Sequence, residues 1–68
     1  MKITIEGAVT MPRWEALQGV VREMLKSPTG RFVRIQRMDG GCNYGALGAY
    51  TVGYEDNNGT TNIDLLVR

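Results

Sequence analysis

Hydrophobic and polar positions change period along the chain, and each change marks an element. Over residues 2–9, Ile3 and Ile5 point one way while Lys2, Thr4 and Glu6 point the other, which predicts a first strand. Gly7 marks a bulge or a close approach by other backbone. Thr10-Met11-Pro12 reads as a helix start, because the N–H that proline lacks would have no helical partner in the first turn. Trp14, Leu17, Val21, Met24 and Leu25 then recur at three- and four-residue spacing and form one apolar stripe. Arg13, Glu15, Gln18, Arg22, Glu23 and Lys26 occupy most of the remainder. Gly19 costs such a helix about 1 kcal/mol relative to alanine, and close helix–sheet packing is the expected compensation. Lys26 suits the negative end of the helix dipole, and Ser27-Pro28-Thr29-Gly30 supplies the stop.

Alternation returns over residues 31–38. Val33 and Ile35 fall on one side, with Arg31 and Arg37 at its margins. Phe32, Arg34, Gln36 and Met38 fall on the other, where apolar bulk mixed with charge suits a contact surface better than bare solvent. A glycine-rich connection follows, Asp39-Gly40-Gly41-Cys42-Asn43-Tyr44-Gly45, which reads as mobile, with Tyr44 placed to act as an aromatic anchor. Asn57-Asn58-Gly59 is a hairpin signal. A two-residue loop at Asn58-Gly59, in a type I′ turn, sets Tyr54 opposite Ile63, Val52 opposite Leu65 and Tyr50 opposite Val67. That pairing puts the large apolar residues of both strands on one face.

The resulting order is β-α-β-β-β in a single domain, residues 1–68. It predicts an α+β two-layer sandwich, one helix packed on a four-stranded, mostly antiparallel sheet. The helical crossover makes the first strand parallel to the second, lying either beside it or beside the fourth. The predicted core is Ile3, Ile5, Trp14, Leu17, Val21, Met24, Leu25, Val33, Ile35, Tyr50, Val52, Tyr54, Ile63, Leu65 and Val67. The opposite sheet face would carry Phe32, Arg34, Gln36 and Met38 with Leu47, Thr51, Asp64 and Leu66. An antiparallel sheet can leave one face uncovered, but such a face is normally more polar than this one.

Composition narrows the chemistry. With 68 residues, 43% hydrophobic and 22% charged, the chain has the makeup of a small globular domain. Its apolar runs are too short for a membrane span, and its first residues lack the apolar block of a signal peptide. One cysteine allows no internal disulfide, which fits a cytoplasmic protein held by packing alone. The net charge of +1 conceals an asymmetry: Arg22, Lys26, Arg31, Arg34 and Arg37 cluster in the middle, while Asp39, Glu55, Asp56 and Asp64 follow. Such a dipolar chain can be steered toward a partner of complementary charge.

There is no histidine, so no Ser-His or Cys-His nucleophile and no histidine-ligated metal can be assembled. Zinc held by four cysteines is excluded by the same count, and no cofactor is expected. Glu55, Asp56 and Asp64 come close in the expected hairpin but read as solvating charges rather than an acid–base pair. Cys42 has glycines, Asn43, Tyr44 and Asp39 around it and reads as an unreactive thiol. The spacing of the glycines fits neither a phosphate loop nor a dinucleotide fingerprint.

Two function classes follow. The first is a non-enzymatic protein-binding module that contacts a larger protein through Phe32, Arg34, Gln36, Met38 and Tyr44. The second is a small nucleic-acid-binding protein using Arg31, Arg34 and Arg37 for phosphates with Phe32 as a stacking platform. The pI near 7.9 and the acidic second half weigh against it. A homodimer through the same patch is a further possibility. In chain length and in its lack of catalytic groups, the sequence resembles the small phage-encoded inhibitors of host defence, anti-CRISPR proteins among them. That resemblance implies a protein that occupies a surface of a larger host complex, in the host cytoplasm.

Overall fold

A computed structural model describes residues 1–68 and contains five elements in the expected order. They are β1 (Lys2–Ile5), α1 (Met11–Met24), β2 (Arg31–Arg37), β3 (Gly48–Asp56) and β4 (Gly59–Val67). The strands form one four-stranded mixed sheet in the order β1-β4-β3-β2, with α1 against one face. β1 runs parallel to β4, with Ile3 beside Leu65 and Ile5 beside Val67. The crossover therefore carries the chain over the sheet, and both β1 and β2 are edges. No helix is long and apolar enough to cross a membrane.

The hairpin keeps the expected faces but not the expected partners. Asp56 pairs with Gly59, so the two loop residues are Asn57 and Asn58. Val52 consequently opposes Ile63, Tyr50 opposes Leu65 and Tyr54 opposes Thr61. Positive φ falls on Gly59, at 116°, and neither asparagine adopts it, so the turn is not the type I′ form. Asp56 Oδ1 accepts the Asn58 N–H at 2.8 Å, as an acidic residue does at the first position of a type I turn. Moving the loop by one residue shifts every partner by two, and a shift of two leaves each side chain on its original face. Face arguments alone could not separate the two registers.

The core comprises Val9, Trp14, Val21, Tyr50, Val52, Tyr54, Ile63, Leu65 and Val67, with Ile3, Ile5, Leu17, Leu25, Phe32 and Ile35 packed around it. Each large side chain fully withdrawn from water contributes about 1.5–3 kcal/mol. Two expected members are absent: Met24 lies on the exposed flank of α1 and Val33 on the exposed side of β2. Val9 and Phe32 take part instead.

Polar ties set how α1 lies on the sheet. Gln18 Oε1 accepts the Phe32 N–H at 2.8 Å, and Arg22 Nε donates to the Gly30 carbonyl at 2.6 Å. The Tyr54 hydroxyl donates to the Ser27 carbonyl at 2.9 Å. At the C-terminus of α1, Ser27 N–H reaches the Arg22 carbonyl at 2.9 Å and Lys26 N–H reaches the Glu23 carbonyl at 3.2 Å. This is the Schellman pattern, with Lys26 in the left-handed region at φ 52° where glycine is favoured. Gly19, by contrast, faces open space, so no close helix–sheet approach explains it.

Candidate functional site

The geometry of the uncovered sheet face is decided by one extra residue in β2. Phe32 pairs with Tyr54 and Arg34 pairs with Gly53, which leaves Val33 as a β-bulge. A bulge shifts the alternation by one. Phe32 and Ile35 therefore both point to the helix side, whereas a regular strand would separate them. Phe32 stacks edge-on against Trp14, with ring centroids 6.4 Å apart. It is not a member of the outer face, and the binding role expected for it there is corrected. Arg34 and Gln36 do face outward and are exposed. Met38, just past β2, continues that side: its N–H bonds the Ala49 carbonyl at 2.9 Å, and its sulfur lies 3.0 Å from the Thr51 hydroxyl.

Register assembles the outer face into rows. One row runs Lys2, Asp64, Thr51, Gln36 and is polar with alternating charge at its start. The next runs Thr4, Leu66, Ala49, Met38 and is largely apolar. Leu66 is 41% exposed and Met38 66%. A shallow groove of about 330 Å³ lies along these rows, with Lys2, Thr4 and Asp64 on its rim. Lys2, Thr4 and Ala49 were not among the expected face residues. Lys2 and Thr4 join it because β1 runs beside β4, a placement that two possible edges leave open, and Ala49 joins it from β3 opposite Leu66.

Arg37 lies on the helix side, as its spacing of two from Ile35 requires, and residues 38–47 wrap around its guanidinium there. Nε and one terminal nitrogen hold Asp39 Oδ1 and Oδ2 at 3.0 and 2.8 Å, a two-pronged charge-assisted pair. The remaining N–H groups donate to the Asn43 carbonyl at 2.8 Å, the Tyr50 hydroxyl at 2.8 Å and the Leu47 carbonyl at 3.2 Å. Tyr50 in turn donates to the Ala46 carbonyl. The hydrogen bond from Arg37, and secondly that from the Gly41 N–H, hold the Asp39 carboxyl far below the ordinary carboxylate range. The Arg37 guanidinium is raised above its own ordinary value, chiefly by the bond to Asp39, with desolvation opposing.

The loop expected to be mobile is thus tied from inside. It is also tied from outside, because Val9 N–H bonds the Gly45 carbonyl at 2.8 Å and Trp14 Nε1 bonds the Tyr44 carbonyl at 3.1 Å. The Tyr44 side chain remains exposed, but its backbone is anchored to α1 and not to the outer face. Arg31, Arg34 and Arg37 consequently do not form a joint phosphate-binding set: Arg37 keeps only 10% of its side chain exposed, while Arg31 and Arg34 stand free.

The remaining candidates stay apart. Asp64 opposes Thr51, whereas Glu55 and Asp56 oppose Thr60 and Gly59 near the turn, so the three carboxylates do not gather as the expected register had placed them. Cys42 is exposed. Comparison of the chain with protein-family models, with curated proteins and with solved structures gives no significant match. The chemistry the outer face offers is that of contact: a flat apolar row, flanked by hydrogen-bonding and charged groups with room to reorient.

Proposed function

We propose that the chain is a non-enzymatic protein-binding module that docks on a larger protein through its uncovered sheet face. The observation that carries this reading is the row Thr4, Leu66, Ala49, Met38 lying open beside Arg34, Gln36 and Thr51. Apolar area in the middle with forked donors at the side is the makeup of a docking surface. The chain's size and its lack of a nucleophile–base pair support the narrower reading of a small inhibitor that occupies a surface of a host assembly.

The test is capture from host extract with the wild type and with a Met38→Glu, Leu66→Glu variant, both quantified by mass spectrometry. Both positions point to solvent, so the variant keeps the fold, which circular dichroism verifies. A partner enriched by the wild type and lost from the variant supports the reading; equal recovery by a folded variant rejects it.

A further inference from the structure

The open edge of β2 carries a second surface, which reaches both sides of the sheet plane. Met38 N–H bonds the Ala49 carbonyl, and antiparallel pairing alternates from there. The backbone groups of Arg34 and Gln36 therefore turn inward to β3, while those of Ile35 and the N–H of Arg37 turn outward, away from the sheet. At Phe32, above the bulge, the outward N–H is already taken by Gln18 Oε1. The edge is thus capped at its start and open beyond it.

A groove of about 180 Å³ runs alongside, between α1 and β2, lined by Met11, Trp14, Glu15, Gln18, Phe32 and Ile35. Met11 is 71% exposed at its mouth. On the opposite side of the same edge stand Arg31 and Arg34. The chain's ion pairs are Arg37 with Asp39 and Arg68 with Glu6; Arg31 stands across from Glu55 on β3 without an ion pair, and Arg34 stands across from Gly53.

We propose that the β2 edge accepts an extended segment of a partner protein as a fifth strand, with apolar and acidic residues alternating along it. An added strand sends alternate side chains to opposite faces. One set would enter the groove, where Trp14, Phe32 and Ile35 favour apolar groups and Glu15 repels acidic ones. The other set would lie beside Arg31 and Arg34, which favour carboxylates. A second copy of β2 is a poor occupant, because it brings its own Arg31 and Arg34 to the same edge and sets like charges against each other. This surface shares Arg34 with the sheet-face docking proposed above, but it is carried by the β2 backbone edge and the Met11 groove, whereas that one is carried by Met38 and Leu66.

The experiment titrates the protein with two fluorescein-labelled eight-residue peptides, one alternating valine and glutamate and one alternating valine and lysine. Anisotropy should show at least tenfold tighter binding of the glutamate peptide. Amide exchange at Ile35 and Arg37 should slow on its addition. The 68-residue chain is short enough to synthesise with an N-methyl group on Ile35, which removes an outward donor and no bond to β3. Losing that hydrogen bond should weaken the glutamate peptide roughly fivefold to tenfold. Met11→Glu, at a solvent-exposed position, should weaken it similarly and keeps the test valid if the N-methylated chain folds poorly.

Equal affinity for the two peptides, or no binding of either, overturns the proposal. So does slowed exchange confined to Thr51, Asp64 and Leu66, which would place the peptide on the outer face. A concentration-dependent dimer with Ile35 and Arg37 protected in the absence of peptide also overturns it in favour of self-pairing. The Met38→Glu, Leu66→Glu variant should bind the glutamate peptide normally, so failure of the sheet-face reading and failure of this one are told apart.

Discussion

The Phe32 ring stands edge-on to the Tyr54 ring, centroids 6.2 Å apart and planes at 76°, on the face of the sheet that α1 covers. Tyr54 is fully buried and Phe32 partly so, and with Trp14 they form a chain of perpendicular aromatic contacts. Such pairs add about 0.5–1.5 kcal/mol beyond the area they bury. Phe32→Ala should therefore cost about 2 kcal/mol, below the value for a fully buried phenylalanine because the ring is part-exposed. Arg34→Ala, two residues on and across the bulge, should change stability by less than about 0.5 kcal/mol. Urea denaturation of the two variants measures both. A larger loss at Arg34 than at Phe32 would mean that the bulge is misplaced.

Gly19 and Gly30 should respond to alanine in opposite directions. Gly19 lies in α1 with nothing within 4 Å of the position a methyl group would take. Gly19→Ala should therefore raise stability by up to about 1 kcal/mol, the difference in helix propensity. At Gly30 the same methyl group would fall on the Tyr54 ring, whose hydroxyl is held by the Ser27 carbonyl. Gly30→Ala must displace either the buried ring or the strand start, at a cost of about 1–3 kcal/mol. Thermal unfolding of the pair gives the sign of each.

Lys26 is the one non-glycine residue at positive φ. Its left-handed conformation costs about 1–2 kcal/mol, part of which Lys26→Gly recovers before the greater freedom of glycine in the unfolded chain offsets it. The net gain should be about 0.5–1 kcal/mol, while Lys26→Val, branched at Cβ, should lose stability. Chemical denaturation of the two variants is the check, and equal midpoints would exclude the Schellman closure.

How far the fold could be read from sequence depended on the range of the interaction involved. The stripe Trp14, Leu17, Val21 and the alternation Tyr50, Val52, Tyr54 against Ile63, Leu65, Val67 are periodic signals, and they gave element order and faces correctly. The hairpin register failed because Asn57-Asn58 and Asn58-Gly59 give the same faces, and only the Asp56 side chain, which accepts the Asn58 N–H, favours the observed turn. The bulge at Val33 has no local signature at all: arginine, phenylalanine and valine suit a regular strand equally well. Its cause is tertiary, since it is what lets Phe32 meet Trp14 and Tyr54 while Ile35 meets Val52. For the same reason, alternation puts Phe32 on the wrong face, whereas Arg34, Gln36 and Met38, beyond the bulge, lie on the face it assigns them. The 39–45 segment looked mobile because glycines are visible in a sequence and a guanidinium bonded to carbonyls six and ten residues away is not.

The Arg37–Asp39 pair makes the acid sensitivity of the chain predictable in sign. Asp39 titrates in the folded protein well below the value of about 3.9 that it takes when unfolded. A depressed carboxyl contributes stability that is fully present above the unfolded value and is lost as pH falls toward the folded one. Asp39→Asn removes that contribution at every pH. Wild type should therefore exceed the variant in stability by its largest margin above about pH 5, and the margin should shrink steadily as pH falls toward 2. Arg37→Lys offers a second reading of the same site, because one ammonium cannot serve Asp39 with two prongs while also reaching Asn43, Tyr50 and Leu47. It should loosen residues 39–47 selectively, seen as faster amide exchange at Gly41 and Gly45 with little change at Ile63 or Leu65. A margin independent of pH, together with unchanged exchange in Arg37→Lys, would show that the loop is held by its contacts with Val9 and Trp14 alone.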